Sequence, residues 1–346
     1  MRQSAEDTTG SAERILIWGA GAIGGTVAAY LGRAGVDVTV VDANEAHVRA
    51  IRERGLAITG PIERFTQRVP AFSPMDITGE WNTIFLCVKA LHTEMASRQL
   101  APHLTKGGIV VSLQNGFNEL IIGEILGRER AVGAFINFGA DVMEPGVVHF
   151  GGRGAVVVGE LDGRETVRLA RVHHALQHFE PYAITTNNIW GYLWGKMGYG
   201  SLLFASALTP ASIIDVLDSR EARPALTALA QEVMAVAAAE GVMPMGFNGY
   251  DPIAFGTNGT LGAIDASFDA MIVFNRRSAK THSGVWRDIA IHHRKTECDA
   301  HFAPILKLAR RSGIAIPHVE RLLTLMHEVE SGARPQSTDN LKALAG

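Results

Sequence analysis

Residues 14–42 of the chain read RILIWGAGAIGGTVAAYLGRAGVDVTVVD, and this stretch decides the fold. Its first five residues, RILIW, form a short apolar run that predicts a buried β-strand. The segment TVAAYLGRAG predicts a helix that ends at Gly35, and VDVTVVD (36–42) predicts a second buried strand. A strand, a helix and a strand within about thirty residues form a parallel βαβ unit.

The turn after the first strand contains the pattern G-x-G-x-x-G, formed by Gly19, Gly21 and Gly24. In such a turn the first glycine permits a tight bend, the second lets the backbone approach a pyrophosphate, and the third allows the helix to pack closely on the strand. The start of the helix offers backbone N–H groups and the positive end of its dipole to phosphates. The pattern therefore predicts a Rossmann dinucleotide-binding domain, with a glycine-rich turn that only packs tightly as the alternative. The predicted cofactor-binding residues of the loop are Gly19, Ala20, Gly21, Ala22, Ile23 and Gly24.

Asp42 closes the second strand, at the position that distinguishes NAD from NADP. A carboxylate there accepts hydrogen bonds from the ribose hydroxyls and repels a 2′-phosphate. We therefore expect NAD(H) as the favoured cofactor and NADP(H) as the alternative; the nearest arginine downstream is Arg49. The other interpretation is that Asp42 is the N-cap of the helix in ANEAHVRA, and both roles are compatible.

Alternation of strands and helices continues to about residue 186, which predicts a doubly wound α/β sheet. The further predicted strands are 83–89, 108–116, 130–140 and 182–186, and the further helices are 44–54, 92–101 and 165–178. VVHFGGRGAVVVGE (147–160) predicts a β-hairpin that turns at Gly151 and Gly152.

Beyond Trp190 the periodicity is mostly helical and no convincing strand is found. The predicted helices are 189–217, 222–240, 262–275, 285–312 and one that starts near 314, with a loop at 251–260. The expected organisation is a disordered tail at 1–13, a Rossmann domain at 14–186, a helical substrate and catalytic domain at 187–332, and a C-terminal tail at 333–346.

Composition excludes several functional classes. Of 346 residues, 47% are hydrophobic and 19% are charged, with a net charge of −3, so we expect a globular protein with neither nucleic acid nor a membrane as partner. The two cysteines, Cys87 and Cys298, form no disulfide framework and no zinc-site spacing, so no metal is expected. The absence of a long apolar run and of a signal-peptide pattern favours a cytoplasmic protein.

Several motifs, in compatible order over nearly the whole chain, resemble the ketopantoate reductase (2-dehydropantoate 2-reductase) family. They are GAGAIGG (19–25), VKALH (88–92), QNG (114–116), PGVVHFGG (145–152), WGKMGYG (194–200), HSGVWRDI (282–289) and RKTECD (294–299). The resemblance implies an NAD(P)H-dependent reductase that converts a 2-keto acid to the D-2-hydroxy acid. It also implies an all-α C-terminal domain like that of 6-phosphogluconate dehydrogenase. A small 2-keto acid is the expected partner, and a homodimer is left open.

The resemblance assigns Lys196 as the catalytic lysine. Lys196 is the only charged residue between Trp190 and Leu208, and a positioned ammonium can donate a proton to the oxygen of a ketone as it is reduced. A lysine that extends from a helix end to solvent is the alternative from the residues alone. The resemblance also implies that Glu297 lies near the cofactor or substrate, opposite Lys196.

The remaining implied contacts are to substrate and cofactor. The resemblance implies that Ser283 binds the substrate carboxylate, and that Asn115 and Lys89 lie between nicotinamide, ribose and substrate. The family usually carries asparagines four and eight residues beyond the lysine, where this chain has Gly200 and Phe204. The spacing from Ser283 to Glu297 is also longer than the family pattern.

These departures concern the substrate. Ketopantoate stays the leading single substrate, but the loss of two amides favours a less polar or bulkier acid, as in D-2-hydroxy acid dehydrogenases that act on mandelate. A non-catalytic nucleotide sensor is a further alternative. A hydrolase is disfavoured because the chain contains neither G-x-S-x-G nor H-E-x-x-H.

Overall fold

The computed structural model describes residues 14–277 and 281–345, and the predicted tail at 1–13 lies outside them. The chain divides into two compact units. The first unit contains residues up to Gln114 together with Asn118–Asn187, and the second contains Asn115–Phe117 together with the residues from Asn188 onward.

The first unit alternates strands and helices. Its strands are β1 (Arg14–Trp18), β2 (Asp37–Val41), β3 (Leu56–Thr59), β4 (Phe65–Gln67), β5 (Ala71–Phe72), β6 (Trp81–Leu86), β7 (Leu104–Ser112), β8 (Ala131–Ile136), β9 (Gly139–Glu144), β10 (Val147–Gly152), β11 (Val156–Glu160) and β12 (Ile184–Thr185). Its helices are α1 (Ala22–Arg33), α2 (Glu45–Arg54), α3 (Thr93–Leu100), α4 (Asn118–Leu126) and α5 (Val167–Gln177).

Eight strands form the main sheet, in the order β12-β11-β8-β7-β6-β1-β2-β5. Every neighbouring pair is parallel except β8 and β11, which are antiparallel. In this sheet β2 lies on one side of β1, whereas β6 and then β7 lie on the other side. The direction of strand addition therefore reverses after β2, and right-handed crossovers place helices on both faces of the sheet. The carboxyl ends of β1 and β6 therefore border the switch point where α/β proteins bind ligands.

A second sheet, which the sequence pattern does not predict, has the order β4-β3-β10-β9. The predicted hairpin over 147–160 is wrong, because β10 pairs with β9 and β3 in this sheet while β11 pairs with β8 in the main sheet. The turn lies instead between β9 and β10, where Gly146 has a φ of +82°. Both strands are apolar, so only their partners, which are far apart in sequence, decide the sheet to which each belongs.

Helix α1 contacts strands of both sheets. Its residues from Gly24 to Leu31 are all buried, and Val27 and Leu31 are fully buried. Ile15 and Ile17 of β1, with Val40 of β2, belong to the same hydrophobic core. Burial on both faces explains why these strands are apolar runs without alternation. This packing fixes the start of α1 at the carboxyl end of β1.

The second unit is helical. Its helices are α6 (Ile189–Ala207), α7 (Ile213–Asp218), α8 (Arg223–Ala239), α9 (Leu261–Arg276), α10 (Gly284–Ala290), α11 (Cys298–Ser312), α12 (Pro317–Glu330) and α13 (Asp339–Ala345). Within the described residues this unit has only one isolated β-bridge, between Phe247 and Tyr250. The predicted α/β fold followed by a helical domain is confirmed. None of the helices described here is long and apolar enough to cross a membrane.

Two of the long predicted helices are interrupted. The helix predicted at 189–217 breaks before α7 because the residue that precedes Pro210 disfavours helical geometry, and Ser212 and Asp215 then form a capping box. The helix predicted at 285–312 breaks between α10 and α11, where His293 has a φ of +46°. Glu297 consequently lies at the N-cap of α11 rather than inside a helix.

The C-terminal segment predicted as a tail at 333–346 contains α13 and is largely ordered by contacts. Leu341 and Leu344 are only 6% and 1% exposed, three residues apart on one helical face. The side-chain amide of Asn340 donates to the carbonyls of Leu208 and Pro335, at 2.9 Å each. The prediction of a tail was wrong because a few apolar residues at helical spacing are enough to stabilise a short helix when they pack against the rest of the unit.

Candidate active site

The glycine loop has the geometry that each of its three glycines was predicted to require. Gly19 has a φ of +100°, and a Cβ there would lie 2.8 Å from the backbone nitrogen of Val88. A Cβ on Gly24 would lie 1.9 Å from the carbonyl oxygen of Gly19, so only glycine allows α1 to pack here. Around Gly21 no atom of the part of the chain that the structure describes lies within 4 Å of the Cβ position, so the described residues leave this side of the loop open.

The start of α1 is suited to an anion. Gly21 is the N-cap of the helix, and among the described residues no side chain caps it. The first turn contains no acidic residue. Backbone N–H groups at a helix start without a side-chain cap bind phosphate oxygens, and the helix dipole adds to the attraction. The loop therefore fits the pyrophosphate of a dinucleotide.

Asp42 lies directly after β2 and anchors the loop. Its Oδ2 accepts a 2.8 Å hydrogen bond from the N–H of Ala20, and its Oδ1 accepts a 2.8 Å hydrogen bond from the N–H of Asn44. The N-cap of α2 is Asn44, whose side chain accepts from the N–H of His47. The interpretation of Asp42 as the cap is therefore wrong. Each carboxylate oxygen accepts more than one hydrogen bond, so ribose hydroxyls can still bind.

Lys89 follows β6 at the same edge of the sheet and is half-buried, at the start of a short 3₁₀ turn over Ala90–His92. The side-chain amide of Gln114 donates to the carbonyl of Val88 and to the hydroxyl of Thr93, at 2.8 Å each. These bonds fix the turn that carries Lys89. Gln114 was not predicted as a functional residue, although it lies in the QNG motif.

Asn115 and the two residues after it belong to the second unit. Asn115 is exposed, and Gly116 has a φ of +94° that turns the chain. The ring of Phe117 then lies 4.6 Å from the ring of Trp194 on α6, two residues before Lys196. The fold thus brings the Asn-Gly turn to the part of α6 that carries the predicted catalytic lysine.

Four glycines lie along α6, and one of them differs from the others. A Cβ on Gly191, Gly195 or Gly198 would come within 2.5 Å of the segment 243–250 or of Asn188. Around Gly200 no atom of residues 14–277 or 281–345 lies within 4 Å of the Cβ position. The first three glycines are therefore required by packing, whereas Gly200 borders open space.

Lys196, Gly200 and Phe204 are spaced four residues apart and share one face of α6. Lys196 is half-buried. Phe204 is 3% exposed. The centroid of its ring lies 5.2 Å from that of His301 and 5.1 Å from that of Phe302, both on α11. Phe204 thus lies in the interior of the second unit, and open space on this face lies at Gly200.

Glu297 is the N-cap of α11 and lies one helical turn before His301. Phe204, on the face of α6 that carries Lys196, contacts His301 and Phe302. This face of α6 therefore packs near the start of α11.

The charged residues next to Glu297 form ion pairs. A guanidinium nitrogen of Arg294 lies 2.6 Å from Oδ1 of Asp288, and Nζ of Lys295 lies 3.0 Å from Oδ2 of Asp299. These ion pairs account for the charges that flank Glu297 in the sequence.

Ser283 is the N-cap of α10 and is 3% exposed. Its oxygen accepts a 3.1 Å hydrogen bond from the N–H of Trp286, and its hydroxyl donates to the carbonyl of Leu203 at 3.4 Å. The second bond is long for a hydroxyl donor, so a carboxylate oxygen can replace this acceptor.

One residue at the loop was not predicted at all. His47 of α2 is 3% exposed, and its Nε2 lies 2.9 Å from the carbonyl oxygen of Ala20. Its Nδ1 accepts a 3.0 Å hydrogen bond from the N–H of Gly146. No local pattern signals this role, because both partners are distant in sequence.

Comparison with known sequences places both units in one family. Residues 15–163 match the profile described as ketopantoate reductase PanE/ApbA, and residues 188–330 match that of its C-terminal region. The 2-dehydropantoate 2-reductase of Archaeoglobus fulgidus is 28% identical over 323 residues, which cover 92% of this chain and 99% of the relative.

Solved structures agree on the fold. The 2-dehydropantoate 2-reductase of Geobacter metallireducens has a TM-score of 0.78 at 26% identity, over 91% of this chain and 99% of that one. A D-mandelate dehydrogenase solved with NADH and anilino(oxo)acetate has a TM-score of 0.78 at 21% identity, over 92% of this chain and 99% of that one. With the glycine loop and the two matching regions, these findings show that the chain belongs to the ketopantoate reductase family of NAD(P)-dependent oxidoreductases that act on CH–OH groups.

Proposed function

We propose that the protein reduces a 2-keto acid to the D-2-hydroxy acid, with NAD(H) favoured over NADP(H). In this proposal the first unit is the dinucleotide-binding domain, and the second is the substrate and catalytic domain. Family membership disfavours a hydrolase. A non-catalytic nucleotide-sensing paralogue stays the alternative, and an absence of turnover would favour it. A cytoplasmic location and a homodimer stay predictions.

The observation that carries the proposal is the arrangement on α6. Lys196 is half-buried and lies one helical turn from Gly200, the glycine of this helix that borders open space. Reduction of a ketone requires a proton donor that the substrate can reach, because charge develops on the keto oxygen as the carbon is reduced, and Lys196 next to an open position of α6 supports this role.

The residues of the first unit fit the cofactor. Gly19 to Gly24 and the start of α1 would hold the pyrophosphate, and Asp42 the adenosine ribose. The carboxylate of Asp42 disfavours a 2′-phosphate by charge repulsion, which supports the preference for NAD(H). Lys89 and Asn115 would bind the nicotinamide ribose and the substrate. When bound, the reduced nicotinamide supplies a hydride to the keto carbon.

The residues of the second unit would handle the proton and orient the acid. The ammonium of Lys196 donates its proton to the keto oxygen and stabilises the negative charge before that transfer. Glu297 would favour the charged form of Lys196 as a nearby carboxylate. The hydroxyl of Ser283 would exchange its long bond to Leu203 for a bond to the substrate carboxylate.

A second candidate is a D-2-hydroxy acid dehydrogenase for a bulkier, less polar substrate. The open space at Gly200 favours it, because this position offers room and no polar group. An amide that bonds a substrate hydroxyl discriminates strongly, whereas an apolar wall discriminates only by size. Ketopantoate carries a hydroxyl that Gly200 cannot bind.

A substrate panel tests both candidates. Oxidation of NADH and of NADPH, each at a saturating concentration, is followed while the concentration of ketopantoate, 3-methyl-2-oxobutanoate or phenylglyoxylate is varied. We expect turnover with 2-keto acids, the highest kcat/KM with a branched or aromatic acid, and weaker activity with ketopantoate. No turnover with any acid and either cofactor would refute the proposed function. Ketopantoate as the best substrate would refute the second candidate and leave the reductase assignment intact.

A further inference from the structure

The backbone of Ala20 is held on both sides within the glycine loop. Its N–H donates to Asp42, and its carbonyl accepts from His47. The carbonyl belongs to the peptide that joins Ala20 to Gly21. Because a trans peptide is planar, its N–H points opposite to its C=O. The bond from His47 therefore turns the N–H of Gly21 away from His47.

The contacts of His47 define its tautomer. A backbone N–H can only donate, so the bond from Gly146 requires an unprotonated Nδ1. A carbonyl can only accept, so Nε2 carries the proton and donates to Ala20. A single neutral imidazole thus links the glycine loop to the β9–β10 turn of the second sheet, and both of its nitrogens are used.

We propose that His47 is a positioning residue for the dinucleotide: it orients the Ala20–Gly21 peptide so that the N–H of Gly21 is presented to the pyrophosphate. The proposal rests on the proposed function in so far as it assumes that the loop binds NAD(H). Three observations support it. Gly21 is the N-cap of α1, the space at its Cβ position is open, and the peptide before it is fixed by a buried donor. A peptide fixed before binding does not lose conformational freedom when the cofactor binds.

Two substitutions separate the two contacts of the imidazole. The amide of glutamine reaches the position of Nε2, so His47→Gln keeps a donor for the carbonyl of Ala20 but lacks the acceptor for Gly146. The amide of asparagine reaches only the position of Nδ1, so His47→Asn keeps an acceptor for Gly146 and leaves Ala20 without its donor. A positioning role through Ala20 predicts that the asparagine variant binds the cofactor less tightly than the glutamine variant.

The readout is the dissociation constant of NADH, measured by fluorescence titration without substrate. We expect His47→Asn to raise this Kd about tenfold, the scale of one lost hydrogen bond, and His47→Gln to stay within about threefold of the wild type. In both variants kcat at saturating NADH should be unchanged. The matched control is His173→Asn on α5, because His173 also donates to a carbonyl, that of Ala183 at 2.7 Å, away from the loop.

The outcomes separate the claims. If both His47 variants bind NADH as the wild type does, or if His173→Asn raises the Kd as much as His47→Asn, the imidazole only contributes to packing and the proposal is wrong. If the two His47 variants lose affinity equally, the role through Ala20 is wrong. If the wild-type protein binds neither NADH nor NADPH, the proposed function itself fails, together with this inference.

Discussion

At the residue scale, the carboxylate of Asp42 anchors the N–H of Ala20, and we propose that it also binds the adenosine ribose. We expect the wild type to have a higher kcat/KM with NADH than with NADPH, and Asp42→Ala to shrink that preference by removing the charge that repels a 2′-phosphate. Asp42→Asn is the matched control for the anchor, because it removes the charge but keeps an acceptor for Ala20. A wild type that prefers NADPH tenfold or more would contradict this role of Asp42.

Lys196 is the residue to which the proposed mechanism assigns the proton. We expect Lys196→Ala to lower kcat by about 10²-fold, the scale of a lost general acid, while the Kd of NADH changes little. Lys307→Ala, which removes an exposed lysine of α11, serves as the control and should keep wild-type kcat. Steady-state rates and a cofactor titration check the prediction, and a near-normal kcat in Lys196→Ala would exclude Lys196 from the mechanism.

Gly200 is the residue at which substrate choice can be tested. Because no atom of the described residues lies within 4 Å of its Cβ position, Gly200 has room for the first atom of a side chain, and Gly200→Asn adds an amide to this face of α6. We expect this variant to raise kcat/KM for ketopantoate relative to the best branched or aromatic acid. Gly200→Ala fills the same first position without an amide and should leave the ratio unchanged, while stabilising α6 by about 0.5–1 kcal/mol. An equal response of both variants would show that the amide is not the cause.

At the scale of the element, α13 shows how a short helix gains order from its contacts. Its Leu344 is 1% exposed, whereas the side chain of Lys342 is 55% exposed and pairs with Glu221 at the surface. We expect Leu344→Ala to lower the free energy of unfolding by about 2–5 kcal/mol, the range for a large apolar side chain removed from a core. Lys342→Ala should change it by less than about 0.5 kcal/mol.

Urea unfolding followed by circular dichroism measures both variants. An unchanged midpoint in Leu344→Ala would mean that the C-terminal segment is the tail that its composition predicts. Hydrogen bonds of this segment indicate that it is ordered. The carbonyl of Ala207, at the end of α6, accepts from the side chain of Gln336 at 2.7 Å, and the carbonyl of Leu208 accepts from the N–H of Ser337 at 3.0 Å. The segment thus satisfies carbonyls that a helix end leaves without partners.

At the scale of the whole molecule, stability should depend on one buried carboxylate. Glu160, 3% exposed, accepts from both Nε and the guanidinium NH2 of Arg168, at 2.7 and 2.6 Å, and from Thr166 at 2.5 Å. Burial alone would raise the pKa of Glu160, but the hydrogen bonds from Arg168 and Thr166 hold that pKa below its ordinary value. The charged form is therefore the one that the fold stabilises.

The sign of the pH dependence follows from this shift. The stabilisation is fully present above the unfolded-state pKa of about 4.3, and it is lost as the pH falls through the lower folded-state pKa. We expect Glu160→Gln to be less stable than the wild type at neutral pH, and the difference between their urea midpoints to shrink as the pH falls toward about 3. Glu165→Gln, an exposed carboxylate nearby, should follow the wild type at every pH. A constant difference for Glu160→Gln would contradict the assignment.

The sequence by itself determined the elements whose signals are local. The βαβ unit, the three glycines of the loop and the helical second half follow from periodicity and from short motifs, and these are properties of neighbouring residues. The position of Asp42 after a strand, and the ordered motifs that identify the family, are local in the same way. Of the two breaks that were missed, the one before α7 has a local signal in Pro210, whereas the one before α11 depends on the positive φ of His293, which the residue pattern does not indicate.

Only the tertiary structure decided which distant groups meet. β10 joined the second sheet rather than a hairpin with β11, because an apolar strand carries no local mark of its partner. His47 acquired its role from Ala20 and from Gly146, the latter 99 residues away. Gly198 and Gly200 look alike in the sequence, yet a Cβ on the first would meet Tyr250, whereas a Cβ on the second would meet no described residue within 4 Å. Packing creates these differences, since the space around a residue is set by segments that the chain brings there only when it folds.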